Sequence, residues 1–362
     1  TIDLQVDPSC ILQPGDTRTL LLQMVRELLF NVVKHSGKKH AFVVVKEENG
    51  YLKVSVKDRG KGFDLDEIRK RQKDFGGYGL FSIEERMQRE PDVKRIQSQL
   101  DEWLHRITEE LAAWDRDHPE APAAPFAVNQ IVHRSNARLM EDMATCAKWK
   151  VPIVITSLGA IVEVNEGVHS WGGITLHDII NDRFARKAIE KGADGLIPVA
   201  AGAGGHAGQL SPFALVQEIR AWFDGPIALS GAIASGHAIL GAQAMGADLG
   251  YAGTVFIATE EANADPNYKR MIVESSGDDI VYTNLFTGVH GNYLAPSIIA
   301  AGLDPADLPQ SDPSKMNFGS GGNQKSKAWR DIWGCGQGIG AIKSAPSVAE
   351  VVARLSDEYE QA

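Results

Sequence analysis

The sequence predicts an α/β fold in two parts: a parallel (β/α)8-type barrel over residues 91–362 that lacks its first two strands, preceded by a partial α+β segment over residues 1–90. Three observations lead there. Beyond about residue 90, short apolar runs alternate with helical stretches, the pattern of a parallel sheet covered by helices. The last two runs are each followed by a glycine turn, as phosphate-binding loops follow the final strands of a barrel. Before residue 90 the chain is poor in Ala and rich in Lys, Arg and Val.

The chain has 362 residues, 43% hydrophobic and 23% charged, a folding composition with room for two domains. No apolar run approaches the ~20 residues of a membrane span, so no transmembrane helix is expected. Thr1 to Gln13 carries Asp3 and Asp7 and does not read as a signal peptide. Cys10, Cys146 and Cys335 lie far apart, without metal-ligand spacing, and suit a reducing, cytoplasmic setting. The net charge of −10 is uneven: residues 1–90 hold 16 Lys+Arg and 14 Asp+Glu, residues 91–362 hold 21 and 33. An acidic bulk of that size argues against a nucleic-acid binder. The sequence carries no signal of oligomeric state.

In the first part, Thr19 to Lys34 places Leu21, Met24, Val25, Leu28, Leu29 and Val32 at helical spacing. Ala41–Lys46 and Tyr51–Lys57 are β-rich and flank Asn49-Gly50, which predicts an antiparallel hairpin. Two glycine loops follow, Asp58-Arg59-Gly60-Lys61-Gly62 and Gly76-Gly77-Tyr78-Gly79, the second running into a helix, Leu80 to Gln88. On the first helix, Glu27, Asn31, Lys34 and His35 share neighbouring turns, and an acid plus an amide one turn on suit Mg²⁺ or a water. Asp58 is placed to accept from an amino group while its glycines let a flat ring approach the backbone. The second loop ends at a helix N-terminus, a natural phosphate site.

Taken in that order, about residues 15–88 resemble the ATP-binding domain of a sensor histidine kinase of the nitrate-sensor type. The resemblance implies Mg-ATP as ligand. Asn31 would ligate Mg²⁺, Asp58 would meet the adenine amino group, Gly60 and Gly62 belong to the first glycine box, and Gly77 and Gly79 would cover the phosphates. The phosphoacceptor helix hairpin and the later strands of that family are not seen, and a hairpin with two helices leaves much apolar surface open.

In the second part the expected strands are Pro125–Val132, Val151–Leu158, Gly173–Ile180, Ala193–Ala200, Pro226–Ile233 and Ala247–Phe256. An open dinucleotide-binding sheet would carry its glycine fingerprint after its first strand, and none is there. Ala201-Gly202-Ala203-Gly204-Gly205-His206 follows the fourth strand, where barrel enzymes keep their chemistry. A histidine there suits a base, or a donor to an anion. Ser230-Gly231 and Gly253-Thr254 offer amides and hydroxyls without a basic side chain, which suits one phosphate of a mononucleotide such as FMN. Asn129 either faces the barrel mouth or is a core amide. Gly336-Gln337-Gly338-Ile339-Gly340 either caps a ligand or is a turn. His133, His169, His177, His237 and His290 show no constellation and read as structural.

About residues 91–362 resemble the nitronate monooxygenase (2-nitropropane dioxygenase) family of FMN-dependent barrels, through Asn129-Gln130-Ile131, Gly204-Gly205-His206, Ser230-Gly231, Gly253-Thr254 and Trp333-Gly334-Cys335-Gly336-Gln337-Gly338. The resemblance implies oxidation of nitronates or nitroalkanes by O₂. His206 would be the catalytic histidine, and Asn129, Gly204, Gly205, Ser230, Gly231, Gly253, Thr254 and Gln337 would contact FMN. The opening strand and second βα unit of that family have no counterpart, and the antiparallel hairpin cannot supply two parallel strands. The competing readings are an ATP-binding two-component sensor kinase fragment, a flavin-dependent enoyl reductase, and a non-functional gene fusion.

Overall fold

The computed structural model describes residues 2–7, 40–48, 51–58, 60, 99–133, 136, 138–311 and 331–362, with the single positions 25, 28, 29 and 32. The chain divides into two compact units, Thr1–Asp101 and Glu102–Ala362.

In the first unit, strands β2 (Ala41–Glu48) and β3 (Tyr51–Asp58) form the expected antiparallel hairpin, in register from Ala41 opposite Asp58 to Glu48 opposite Tyr51. A further strand, β1 (Ile2–Val6), pairs parallel with β2. It was not foreseen. Its alternating Ile2, Leu4 and Val6 are all exposed, so it is an edge strand with little burial to mark it. Val25, Leu28, Leu29 and Val32 of the predicted apolar stripe are helical, and Val32 is buried. Asp58 accepts from the Gly60 amide at 2.5 Å, a local turn. Asn31, Gly62, Gly77, Gly79 and the helix expected from Leu80 lie outside the described residues.

The second unit opens on helical residues 102–117 (α1), which bury Leu104. Then come β4 (Ala127–Ile131), α2 (Leu139–Lys148), β5 (Ile153–Ser157), α3 (Val162–Ser170), β6 (Ile174–Ile179), α4 (Asp182–Glu190), β7 (Gly195–Pro198) and β8 (Gly205–His206). After these lie α5 (Pro212–Arg220), β9 (Ala228–Ser230), α6 (Gly236–Ala244), β10 (Leu249–Tyr251), α7 (Thr254–Ile257), α8 (Pro266–Glu274), β11 (Ile280–Thr283), β12 (Gly291–Leu294) and α9 (Ala295–Ala300). A 3₁₀ turn, Gln337–Ala341, and α10 (Val348–Glu360) finish the chain.

All six expected barrel strands are present and parallel. β4, β5, β6 and β7 pair in that order, bridges Leu196–Ile227 and Val199–Ser230 join β7 to β9, and β9 pairs with β10. Apolar side chains of β6, β7 and β9 pack on α4, α5 and α6 in one core that includes Ile179, Leu196, Leu215, Ile219 and Leu229. The run Gly-Ala-Asp precedes both β7 and β10 (192–194 and 246–248). Asp194 accepts the Thr175 amide at 2.7 Å, and Asp248 accepts the Ile227 amide at 2.8 Å, so each run clips its strand to the preceding one.

One expectation is corrected and one element is new. The run Ala247–Phe256 is not one strand: β10 ends at Tyr251, and Thr254 starts a helical turn. A second small sheet, β11–β12–β8, is antiparallel and had no place in a barrel reading. No described helix is long and apolar enough to cross a membrane.

Candidate functional site at the C-terminal ends of the parallel strands

Two cavities, about 330 Å³ and about 500 Å³, open where the parallel strands end, and they share Gly204, Ser230 and Tyr251 in their walls. The smaller is walled by the loop after β7 (Gly202–Gly205), the turn after β9 (Ser230–Ala234), Gly253-Thr254 after β10, and Tyr268, Trp333, Gly334, Gly336 and Gly338 from later segments. No described side chain in that wall carries a charge.

Glycine is required here for stated reasons. Gly231 has φ +151°, and a Cβ on it would stand 3.0 Å from the Ala201 carbonyl oxygen. Gly205 and Gly253 differ in their surroundings: a Cβ on either would meet nothing within 4 Å, although both line the cavity, and Gly205 also sits at φ +69°. Their missing side chains therefore leave open space against bare backbone.

The loop is pinned from three sides. The Gly202 carbonyl accepts from Ala232 N–H at 3.2 Å and Gln337 N–H at 2.9 Å. Buried Asn292 donates to the Ala203 carbonyl at 2.7 Å, and His206 pairs with Gly291 across β8 and β12. Gln337 thus contributes its backbone; its side chain is exposed and outside the cavity wall. Thr254 Oγ1 accepts from Gly336 N–H at 3.0 Å, tying the C-terminal loop to the turn after β10. Tyr268 stacks on Trp333, ring centroids 4.8 Å apart, and donates to the Gly334 carbonyl.

The larger cavity holds the ionisable groups. Asn129, the exposed middle residue of β4, lines it rather than the core, with Ser157, His177, Asp178, His206, Tyr251 and Lys187. His206 Nε2 lies 2.9 Å from Thr287 Oγ1, which in turn donates to the Val289 carbonyl at 3.0 Å. Burial pushes His206 down to about 4 and Asp178 up to about 6. His177, read from sequence as structural and unconnected, shares this cavity. Its Nδ1 is 2.6 Å from Thr156 Oγ1, and burial pushes it down to about 4.

The structure therefore brings Ser230, Gly231, Gly253 and Thr254 to one cavity, Asn129 and His206 to the adjoining one, and Gly204 to the shared wall; Gly205 lies in the wall of the smaller. Sequence reasoning missed His177, Asp178, Ser157 and Tyr251. The adjacent polar pair His177-Asp178 near the end of an otherwise apolar strand was the available signal. Among the described residues no cluster of three or more His, Cys, Asp or Glu is arranged to hold a metal.

The model for histidine kinase-, DNA gyrase B- and HSP90-like ATPases matches residues 16–97. That segment is similar to the signal transduction histidine-protein kinase/phosphatase DegS of Brevibacillus brevis, 35% identical over 74 residues, covering 20% of this chain and 18% of that protein. The later part is similar to a nitronate monooxygenase of Paraburkholderia phytofirmans, 29% identical over 196 residues, 50% of this chain and 53% of that protein. The chain spans about half the length of the nitronate monooxygenases it matches. A crystal structure of nitroalkane oxidase from Streptomyces ansochromogenes shares the barrel-type α/β fold, with TM-score 0.55 and 21% identity over 70% of this chain and 85% of that one. The nitronate monooxygenase model matches residues 110–358, more than half of the sequence, and the chain belongs to that family.

Proposed function

We propose that the chain is an FMN-dependent oxidoreductase that oxidises nitronates or nitroalkanes with O₂. The observation that carries the reading is the glycine-walled, charge-free cavity beside the one that holds His206. The residues fit the cofactor: Gly205 and Gly253 line the cavity with bare backbone, and a Cβ on either would meet nothing within 4 Å. Ser230, Gly231, Gly253 and Thr254 would hold the phosphate through amides and hydroxyls, while Gly204, Gly205 and Asn129 would face the ring. Bound FMN supplies acceptance of electrons from the substrate and their transfer to O₂.

The protein's own contribution centres on His206. Thr287 gives its one hydroxyl proton to the Val289 carbonyl, so Nε2–H of His206 donates to Thr287 and the ring's lone pair sits on Nδ1. The imidazole is neutral at pH 7 and accepts a proton from a nitroalkane carbon. An anionic nitronate beside it favours the protonated ring, which then orients the anion.

The test is the absorption spectrum of purified protein, with oxygen consumption on a nitroalkane and on its nitronate. A bound yellow chromophore with oxygen uptake is expected. A colourless protein, inert after incubation with FMN, would overturn the reading.

A second reading concerns the first unit alone. The kinase-type match suggests that Asp58, its Oδ1 held by the Gly60 amide, presents its other oxygen to an adenine amino group. Mg-ATP titration of the whole chain and of Asp58→Ala tests it; equal affinity in both discards the role.

A further inference from the structure

Three side chains from three neighbouring strands meet on one wall of the larger cavity. Ser157 Oγ lies 2.6 Å from Asp178 Oδ2 and 3.2 Å from Asn129 Oδ1. β4, β5 and β6 are hydrogen-bonded in register: Ser157 and Asp178 each follow the paired Thr156 and His177, while Asn129, opposite Ile155, reaches Ser157 diagonally. A proton count then orders them. The Asn129 oxygen only accepts, and Ser157 has one proton. Two hydrogen bonds among three oxygens need two protons, so the second belongs to Asp178.

We propose that Asp178, while protonated, donates to Ser157, that Ser157 then donates to Asn129, and that this relay leaves the Asn129 NH₂ group as the donor available to a ligand in the cavity. The role of Asp178 is to position. Ionisation reverses the chain: Asp178 then only accepts, Ser157 donates to it, and Asn129 satisfies Ser157 by turning its amide. The cavity then meets a carbonyl where it met a donor. The ligand half of this inference rests on the flavin reading; the relay itself does not.

Of the groups facing Asp178, the two histidines offer its carboxylate no positive charge, whereas Lys187 does. His177 on β6 and His206 on β8 are both pushed down to about 4 by burial and are uncharged at neutral pH. Tyr251 on β10 is pushed up by burial and, once Asp178 is ionised, by the negative charge of its carboxylate. Lys187 on α4 is the one described cation in the wall. Burial lifts Asp178 to about 6, and the Ser157 bond open to its ionised form offsets only part of that.

Asp178→Asn decides the matter, because its NH₂ donates to Ser157 permanently and mimics the protonated acid. In ligand-free protein, infrared titration reads the relay directly. Wild type is expected to show a carboxylic-acid C=O stretch that disappears as pH rises through about 6 and is missing from Asp178→Asn. Ser157→Ala is expected to move its midpoint, which keeps the test open if Asp178→Asn fails to fold. FMN titrations at pH 5 and pH 8 read the consequence. The FMN phosphate titrates in the same range, so the quantity is the ratio of wild-type to Asp178→Asn affinity. Near unity is expected at pH 5, with wild type roughly two- to tenfold weaker at pH 8, the worth of one hydrogen bond. A wild type without the acid stretch at pH 5, or a ratio equal at both pH values, overturns the proposal. If wild type binds no FMN, the proposed function fails while the infrared titration still decides the relay.

Discussion

The Nε2 atom of His206 stands 2.9 Å from Oγ1 of Thr287, a residue 81 positions later in the chain. Thr287 also accepts from the Val289 amide at 3.3 Å and donates to its carbonyl at 3.0 Å. Tyr293 Oη lies 3.5 Å from the same hydroxyl. With the Thr287 proton on the Val289 carbonyl, the His206 contact needs a proton on Nε2, and one imidazole tautomer is selected.

His206→Asn is expected to lower turnover of a nitroalkane by ~10²–10⁴, the usual cost of losing a positioned base. On preformed nitronate no proton is removed, so a smaller loss is expected. Oxygen consumption on both substrates, with flavin measured by absorbance, checks it. Equal losses on the two would remove the base role, and loss of flavin would make His206 structural.

Thr287→Val removes the acceptor of Nε2–H while nearly keeping shape. Leaving that donor unsatisfied is expected to cost about 1–3 kcal/mol of stability and to depress nitroalkane turnover more than nitronate turnover. Thr287→Ser restores the hydroxyl and is expected to recover most of both. A serine variant as impaired as the valine one would sink the tautomer argument.

Two neutral, buried imidazoles set the acid response. His177 and His206 fall to about 4 in the folded protein, against about 6.5 when unfolded. Below pH 6.5 the unfolded chain takes up protons that the folded one refuses, so their contribution to stability drains away down to about pH 4. Asp178, raised to about 6, works in the opposite sense and regains stability over the same range. Urea midpoints at pH 7, 5 and 4 are expected to fall less for His177→Gln than for wild type. Parallel slopes would contradict this.

The glycines separate fold from ligand. Gly253→Ala places its methyl where no protein atom lies within 4 Å, so stability is expected to stay within about 0.5 kcal/mol while FMN affinity drops. Gly231→Ala meets both the Ala201 carbonyl and a backbone angle of +151°. It is expected to cost about 1–3 kcal/mol as well as affinity. Thermal melts and flavin fluorescence titrations distinguish the two. Unchanged FMN affinity in Gly253→Ala argues against a ligand at that wall.

The six parallel strands were legible because each is a nearly unbroken apolar run beside a helical one. Their ends were not: Tyr251 to Ile257 stays largely apolar across a strand end, a glycine turn and a helix start. That His206, Ser230, Gly231, Gly253 and Thr254 line the cavities was legible because glycine follows strand at each. Ser157, His177 and Asp178 were not, since a polar residue inside a strand looks alike whether it faces a core or a cavity. β8 is two residues long and depends on a partner about 85 positions away, so no local pattern announces it. The Gly-Ala-Asp run before β7 and β10 is visible in the sequence, but only the strand pairing gives it a purpose.

The two amides converging on the Gly202 carbonyl, from Ala232 and Gln337, have a consequence for time rather than for space. During synthesis the loop at 202 emerges long before position 337, and at 5–20 residues per second the interval is roughly 7–27 s. Throughout that interval the wall made by residues 333–338 does not exist. The strands and helices can settle one after another as they appear, but the pocket waits for residues 333–338. The proposed FMN site is therefore finished only after position 338 has emerged, and nascent chains arrested before residue 333 are expected to retain no FMN.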